Sequence, residues 1–198
     1  MSHPPRQADY NILPMFTERW SARAFTDETI GEAELHSLFE AARWAPSAFN
    51  AQPWRFLYAR RGTPLWEPFV QLLMPYNQGW AQHAAALVYL LSAPTYAAEG
   101  KPEPQKVSHG SFSAGTAWGF LALQAQATGW VAHGMAGIEV ERIRQELKVP
   151  DDFAVEIGIA IGRLGPVENL PEKLQAREFP SLRRPVDAFA FEGAFPAG

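Results

Sequence analysis

The stretch Ala42-Arg43-Trp44-Ala45-Pro46-Ser47-Ala48-Phe49-Asn50-Ala51-Gln52-Pro53-Trp54-Arg55-Phe56 closes a helix, turns, and opens a strand. Just before it, Leu35, Leu38, Phe39 and Ala42 recur at i, i+3, i+4 and i+7, which predicts an amphipathic helix over residues 31–44. Pro46 stops that helix, because its ring disfavours helical geometry at Ala45. The turn presents the carboxamides of Asn50 and Gln52, each able to donate and to accept, and residues 54–59 read as a strand. Further upstream, Arg19-Trp20-Ser21-Ala22-Arg23-Ala24-Phe25 sets two cations and a hydroxyl at alternate positions. Arginine's rigid fork matches phosphate oxygens, so this is a candidate anion grip. Taken alone, each stretch has a plainer reading. The first is a turn, where Pro, Ser and Asn are favoured by local hydrogen bonding; the second is scattered charge at a solvated helix end.

Outward from these stretches the pattern mixes helix and strand. Residues 64–73 suit a helix ended before Pro75, and residues 84–91 suit a strand buried on both faces, although so short an apolar run also fits a helix. Ala114, Ala117, Trp118, Leu121 and Ala125 keep helical spacing over residues 110–128, and Gly129 suits the C-terminal cap. Val140, Ile143 and Leu147 mark a shorter helix ahead of Pro150. Val155, Ile157, Ile159 and Ile161 alternate with smaller residues, which predicts a strand with one bulky and one small face. After Gly165 the chain is irregular and punctuated by proline. Phe179, Phe189, Phe191 and Phe195 make that tail too apolar for a free linker, so it is expected to pack, a second subunit being one candidate surface. This content suits a sheet wrapped by helices; topology does not follow from it.

Bulk properties narrow the function classes. A chain of 198 residues fits one domain that buries roughly 70% of its unfolded surface. A net charge of −4 argues against a nucleic-acid binder, which needs a concentrated basic face. There is no cysteine, so disulfides, thiolate nucleophiles and iron–sulfur ligation are excluded. The N-terminal residues include no apolar leader, and the longest apolar run is far too short to span a membrane. The expectation is a soluble, cytoplasmic protein with no membrane and no nucleic-acid partner. His3, His36, His83, His109 and His133 are scattered without metal-ligand spacing. No G-x-S-x-G elbow and no G-x-G-x-x-G fingerprint occurs, which disfavours a serine hydrolase and a resident dinucleotide.

In order, R-x-S-x-R-x-F followed by A-R-x-A-P-S-x-x-N-x-Q-P-W resembles the nitroreductase family of FMN-dependent oxidoreductases, and the likeness runs from residue 18 to about residue 185. The segment Gly129-Trp130-Val131-Ala132-His133-Gly134-Met135-Ala136-Gly137-Ile138 resembles the family's passage beside the flavin ring. There, small residues let a backbone N–H reach N5; otherwise it is an ordinary glycine-rich strand–helix connection. Arg183-Arg184-Pro185 resembles the family's basic tail that returns to the phosphate, and otherwise is surface charge.

The resemblance implies an α+β fold with a central, mostly antiparallel sheet wrapped by helices, in an intertwined homodimer. It implies a single domain over residues 1–198, with 166–198 as a C-terminal arm on the partner subunit. Arg19, Trp20, Ser21, Arg23, Arg183 and Arg184 would hold FMN from one subunit. Pro46, Ser47, Asn50 and Gln52 would come from the other, and Met135, Ala136 and Gly137 would lie beside the ring. Arg23, if near the N1–C2=O edge, would favour reduced flavin, about 30 mV for each 1.4 kcal/mol. The implied activity is a ping-pong cycle in which NAD(P)H is the transient reductant and a nitroaromatic, quinone or flavin is the small-molecule acceptor. FMN carries the chemistry and no catalytic side chain or metal is required. A flavin-storing protein and a specialised chemistry such as reductive dehalogenation are the alternatives. Ala48 stands where many members have a second serine, and Ser181 where some have a lysine. Asn77 matches a family asparagine only loosely.

Overall fold

The fold is described from a computed structural model over residues 5–196; residues 1–4, His3 among them, and 197–198 lie outside the described residues. In chain order the elements are α1 (Pro14–Glu18), α2 (Glu32–Arg43), β1 (Trp54–Arg60), α3 (Trp66–Val70), α4 (Pro75–Ala81), β2 (Ala86–Ser92), β3 (Thr95–Tyr96), β4 (Gln105–Lys106), α5 (Gly110–Ala127), β5 (Val131–Met135), α6 (Val140–Glu146), β6 (Ala154–Gly162) and α7 (Glu172–Gln175).

Strand β2 explains the layering. All seven of its residues are buried, so both faces need cover. It pairs antiparallel with β1 on one side and β6 on the other, and β5 extends the sheet to the order β1-β2-β6-β5. On one face Val88 and Leu90 pack with Leu35, Leu38 and Ala42 of α2 and with Ala114, Ala117 and Leu121 of α5. On the other, Leu87, Tyr89 and Leu91 pack with Phe69, Leu73, Trp80 and Ile143. The result is a helix–sheet–helix sandwich.

Several expectations are refined. Helix 64–73 contracts to Trp66–Val70, and Pro75 begins α4 rather than marking a stop. Leu73 bridges to Ile138 and the Met74 N–H donates to the Gly137 carbonyl at 3.1 Å, so this backbone is taken by tertiary pairing. Proline then suits the first helical position, where no N–H is needed. The segment read as a glycine-rich strand–helix connection holds β5, an edge strand formed by pairing with β6, and leads into α6. On β6, Ile157, Ile159 and Ile161 do share the α2/α5 face, but Val155 packs on the other, because the register shifts opposite Leu90 and Leu91. The tail also divides: Leu170 and Leu174 are buried on their own chain, whereas Phe189 and Phe195 are exposed.

The small face of β6 has a structural use. Residues 22–26 cross its end: Phe25 bridges Leu164, the Thr26 N–H donates to the Arg163 carbonyl (3.0 Å), and the Gly165 N–H donates to the Ala24 carbonyl (2.9 Å). A Cβ on Gly165 would lie 2.5 Å from the Phe25 carbonyl carbon and 2.8 Å from the Thr26 nitrogen. Backbone cannot step aside cheaply, so Gly165→Ala is expected to cost about 1–3 kcal/mol, read as a lower urea midpoint. Gly79→Ala, in α4 with nothing within 4 Å of its new Cβ, should instead stabilise by about 0.5–1 kcal/mol.

Candidate functional site: an arginine-lined hollow beside strand β5

Extended geometry over residues 19–24 buries Ala22 and Ala24 and leaves Arg19, Ser21 and Arg23 only partly covered. These three, with Trp20, line a hollow of about 370 Å³ whose other walls include Arg6, His133, Arg177, Ser181 and Arg183. Arg19 and Ser21 also line the next hollow, with Trp118 and Gly134. Trp118 and Gly134 continue into a third, with Met135 and Ala136. The track therefore runs from a cationic end to a small-residue end along β5.

The cationic end is poorly compensated. Burial, then the Arg183 charge, lowers the Arg19 pKa; burial, then Arg183 and Arg19, lowers that of Arg6. Among the described residues the Arg19 guanidinium has no hydrogen-bond or ion-pair partner. The Arg183 charge thus weakens the charged form of both Arg19 and Arg6, a cost that a nearby anion would relieve. Arg6 was not foreseen, and nothing in its proline-rich sequence context signals it. It donates to the carbonyls of Thr17 (3.0 Å), Arg19 (2.6 Å) and Ser181 (2.9 Å), tying the N-terminal segment to the C-terminal arm. Ser181 accepts from Arg183 through Oγ at 3.0 Å, so the residue departing from the family lysine steadies an arginine. Arg184 lines a separate groove beside this one, together with Arg183, and does not line the hollow itself.

Arg23 differs from Arg19. Glu178, with its side chain only 3% exposed, accepts from the Arg23 N–H at 2.5 Å and the Ala24 N–H at 2.8 Å, and pairs with the Arg23 guanidinium at 3.5 Å. Glu178 was also missed, since an acid 155 residues away carries no local signal. Its effect is to anchor the grip's backbone and offset part of one charge.

His133 projects from β5 into the same hollow, 4.7 Å between ring centroids from Trp80. Its Nδ1 lies 2.9 Å from the Ala22 carbonyl, which can only accept, so Nδ1 carries the proton in this contact. Asn77 is buried and lines none of these hollows, but its Nδ2 donates to the Gly137 carbonyl at 2.9 Å. A Cβ on Gly137 would stand 2.5 Å from that nitrogen, so any larger residue here would have to displace the Asn77 amide.

The turn 46–52 is elsewhere. Phe49, Asn50 and Gln52 all have positive φ (55°, 53° and 47°), an uncommon conformation outside glycine that clusters at functional sites. Ser47 Oγ accepts the Gln52 N–H at 3.0 Å, and Gln52 Nε2 donates to the Asn50 carbonyl at 3.1 Å, so part of Gln52 is used to hold the turn. Asn50 stays exposed. The turn leads into β1, the sheet edge opposite β5. One chain therefore does not bring Pro46, Ser47, Asn50 and Gln52 to the hollow that Arg19, Ser21 and Arg23 line.

Burial above all, helped by the charges of Arg23 and Arg19, lowers the His133 pKa, against the opposing pull of the Ala22 carbonyl. An unfolded imidazole titrates near about pH 6.5. Below that pH the unfolded state takes up a proton that the fold refuses, so stability falls as pH drops from about 6.5 toward the lower folded value. His133→Gln should flatten this dependence, measured as urea midpoints on either side of that pH.

Comparison with known proteins agrees with this geometry. The sequence profile of the Nitroreductase family matches residues 16–163. A Streptomyces coelicolor protein whose name pairs NADH dehydrogenase with NAD(P)H nitroreductase is 27% identical over 164 residues, 75% of this chain and 80% of that protein. A solved structure described as an oxidoreductase containing FMN is 43% identical, with a TM-score of 0.93 and 100% of both chains covered. A Desulfovibrio desulfuricans structure solved in complex with FMN shares the fold at 24% identity and a TM-score of 0.71, covering 92% of this chain and 96% of that one. With three quarters of its length under the family profile, an antiparallel sheet between helix layers and the arginine-lined hollow in place, the chain belongs to the nitroreductase family.

Proposed function

We propose that this protein is an FMN-dependent NAD(P)H oxidoreductase that reduces a small acceptor such as a nitroaromatic, a quinone or a free flavin. The observation that carries the proposal is the uncompensated arginine set at one end of a track that ends on small residues of β5. A phosphate suits the first end and a planar ring suits the second. Bound there, FMN would supply the hydride chemistry, accepting from NAD(P)H and donating to the second substrate through N5. The chain's task is to bind and orient. Arg19 and Arg183 would hold the phosphate with Ser21 beside them, Trp20 would help wall the hollow, and Arg23, which lines the same hollow, would join them there with Glu178 tempering its charge. Met135, Ala136 and Gly137 would offer backbone to the ring, with Asn77 fixing Gly137.

The site needs a second copy of the chain. Asn50 and Ser47 lie at the wrong sheet edge to complete their own hollow, yet the turn's uncommon backbone suits a binding role. A homodimer would supply the turn, with Pro46, Ser47, Asn50 and Gln52, to the partner's ring. Exposed apolar groups support such an interface: Phe112 and Phe120 on α5, Phe16 on α1, and Phe189 and Phe195 on the arm. We read the arm, from about residue 180, as packing on that partner. Among the described residues no helix is long and apolar enough to cross a membrane, and a cytoplasmic setting fits the NAD(P)H reductant.

Anaerobic mixing of the FMN-loaded protein with NADH or NADPH should bleach the flavin promptly; a protein that only stores flavin stays yellow. Arg19→Ala should weaken FMN binding about 10- to 100-fold, the worth of one charged hydrogen bond, measured by fluorescence titration. An unchanged dissociation constant would remove Arg19 from the site. Assayed at an FMN concentration that loads wild-type sites but not those of either variant, Arg19→Ala and Asn50→Ala copies mixed as subunits should regain roughly a quarter of wild-type activity, because each hybrid has one intact site. No recovery would place the turn and the hollow in unrelated sites.

A further inference from the structure

The register shift in β6 isolates one residue. Leu90 faces Ile157 and Leu91 faces Val155, which leaves Glu156 as an extra residue without a partner on β2. A bulge of this kind re-aims a side chain, and such bulges gather beside active sites. Glu156 Oε1 accepts from the Ser92 hydroxyl at 2.5 Å and from the Ser111 hydroxyl at 2.8 Å. Oε2 has no hydrogen-bond partner among the described residues. The same side chain lines the third hollow, about 400 Å³, whose other walls include Leu90, Trp118, Met135, Ala136 and Ile157 and among which no cation stands.

A half-covered carboxylate in such surroundings is costly unless something satisfies it. Both serine hydroxyls serve one oxygen and hold the group still, leaving the other oxygen's lone pairs for a ligand. We propose that Glu156 determines specificity for the electron acceptor: it favours rings whose substituent is cationic or donates a hydrogen bond, and it excludes anionic ones. The assignment rests on the flavin reading above, since Met135 and Ala136 line this hollow and would also flank the ring. The physical basis is twofold. A fixed negative charge against apolar walls repels an incoming anion, and a repulsive element of this kind builds specificity alongside any attraction for the favoured ring. Ser92 and Ser111 act as positioning residues.

The test compares 4-nitrobenzamide with 4-nitrobenzoate, matched in shape and differing in charge, on the FMN-loaded protein. In wild type kcat/KM should favour the amide by about tenfold or more, and in Glu156→Gln the ratio should collapse toward one. A wild-type ratio near one, or a ratio that persists in Glu156→Gln, overturns the assignment. If that variant does not retain flavin, salt decides with the wild type alone: the preference should shrink between low salt and about 0.5 M, and a salt-independent ratio overturns it. Failure of the underlying reading has a different signature, since a protein that binds no FMN, or turns over neither compound, ends both proposals.

Discussion

The site depends on one packing contact, the seating of Phe25 against the glycine-bearing end of β6. Phe25 is 2% exposed, and its ring lies where a Cβ on Gly162 would be 2.6 Å from Cδ1. Together with the backbone bonds to Arg163 and Gly165, this contact fixes residues 19–24 as an extended segment beside β5. Alternation along that segment then turns Ala22 and Ala24 inward and leaves Arg19, Ser21 and Arg23 toward the hollow. The small face of β6 is thus an allowance of space: side chains are withheld where another strand of chain must approach closely.

Charge within the hollow is handled unevenly, and the unevenness is informative. Arg23 is held by the buried carboxylate of Glu178, which also accepts two backbone N–H groups and so acts chiefly as a structural tie. Arg19 faces the hollow without such a partner, next to Arg6 and Arg183. Folded proteins rarely collect like charges without a return, because each raises the cost of the next. The proposed return here is affinity for an anion that brings its own charge. At the far end of the track the lining changes to small and apolar residues with a single carboxylate, Glu156.

The parts legible from sequence were those with local causes. Helix α2 announces itself through apolar spacing and the proline beyond it, β2 through a continuous apolar run, and α5 through small residues at helical spacing closed by Gly129. The two ordered motifs carried the family, since their residue types must recur in the same sequence order to grip the same ligand. What escaped notice had distant causes. β5 is a strand only because β6 lies beside it, Pro75 starts a helix because Leu73 and Met74 are paired elsewhere, and Arg6 and Glu178 enter the site from far along the chain.

By itself, then, the amino-acid order determined which segments are helix or strand where their periodicity is strong, the absence of thiol chemistry, and the two motifs that mark a flavin enzyme's family. Tertiary structure alone decided that those motifs stand at opposite sheet edges, that Glu156 is turned out of the β6 alternation, and that three arginines from the N-terminal and C-terminal segments converge. The reason is physical: period and propensity act over a few residues, whereas strand pairing, register and the meeting of chain ends are set by contacts whose partners are far apart along the chain.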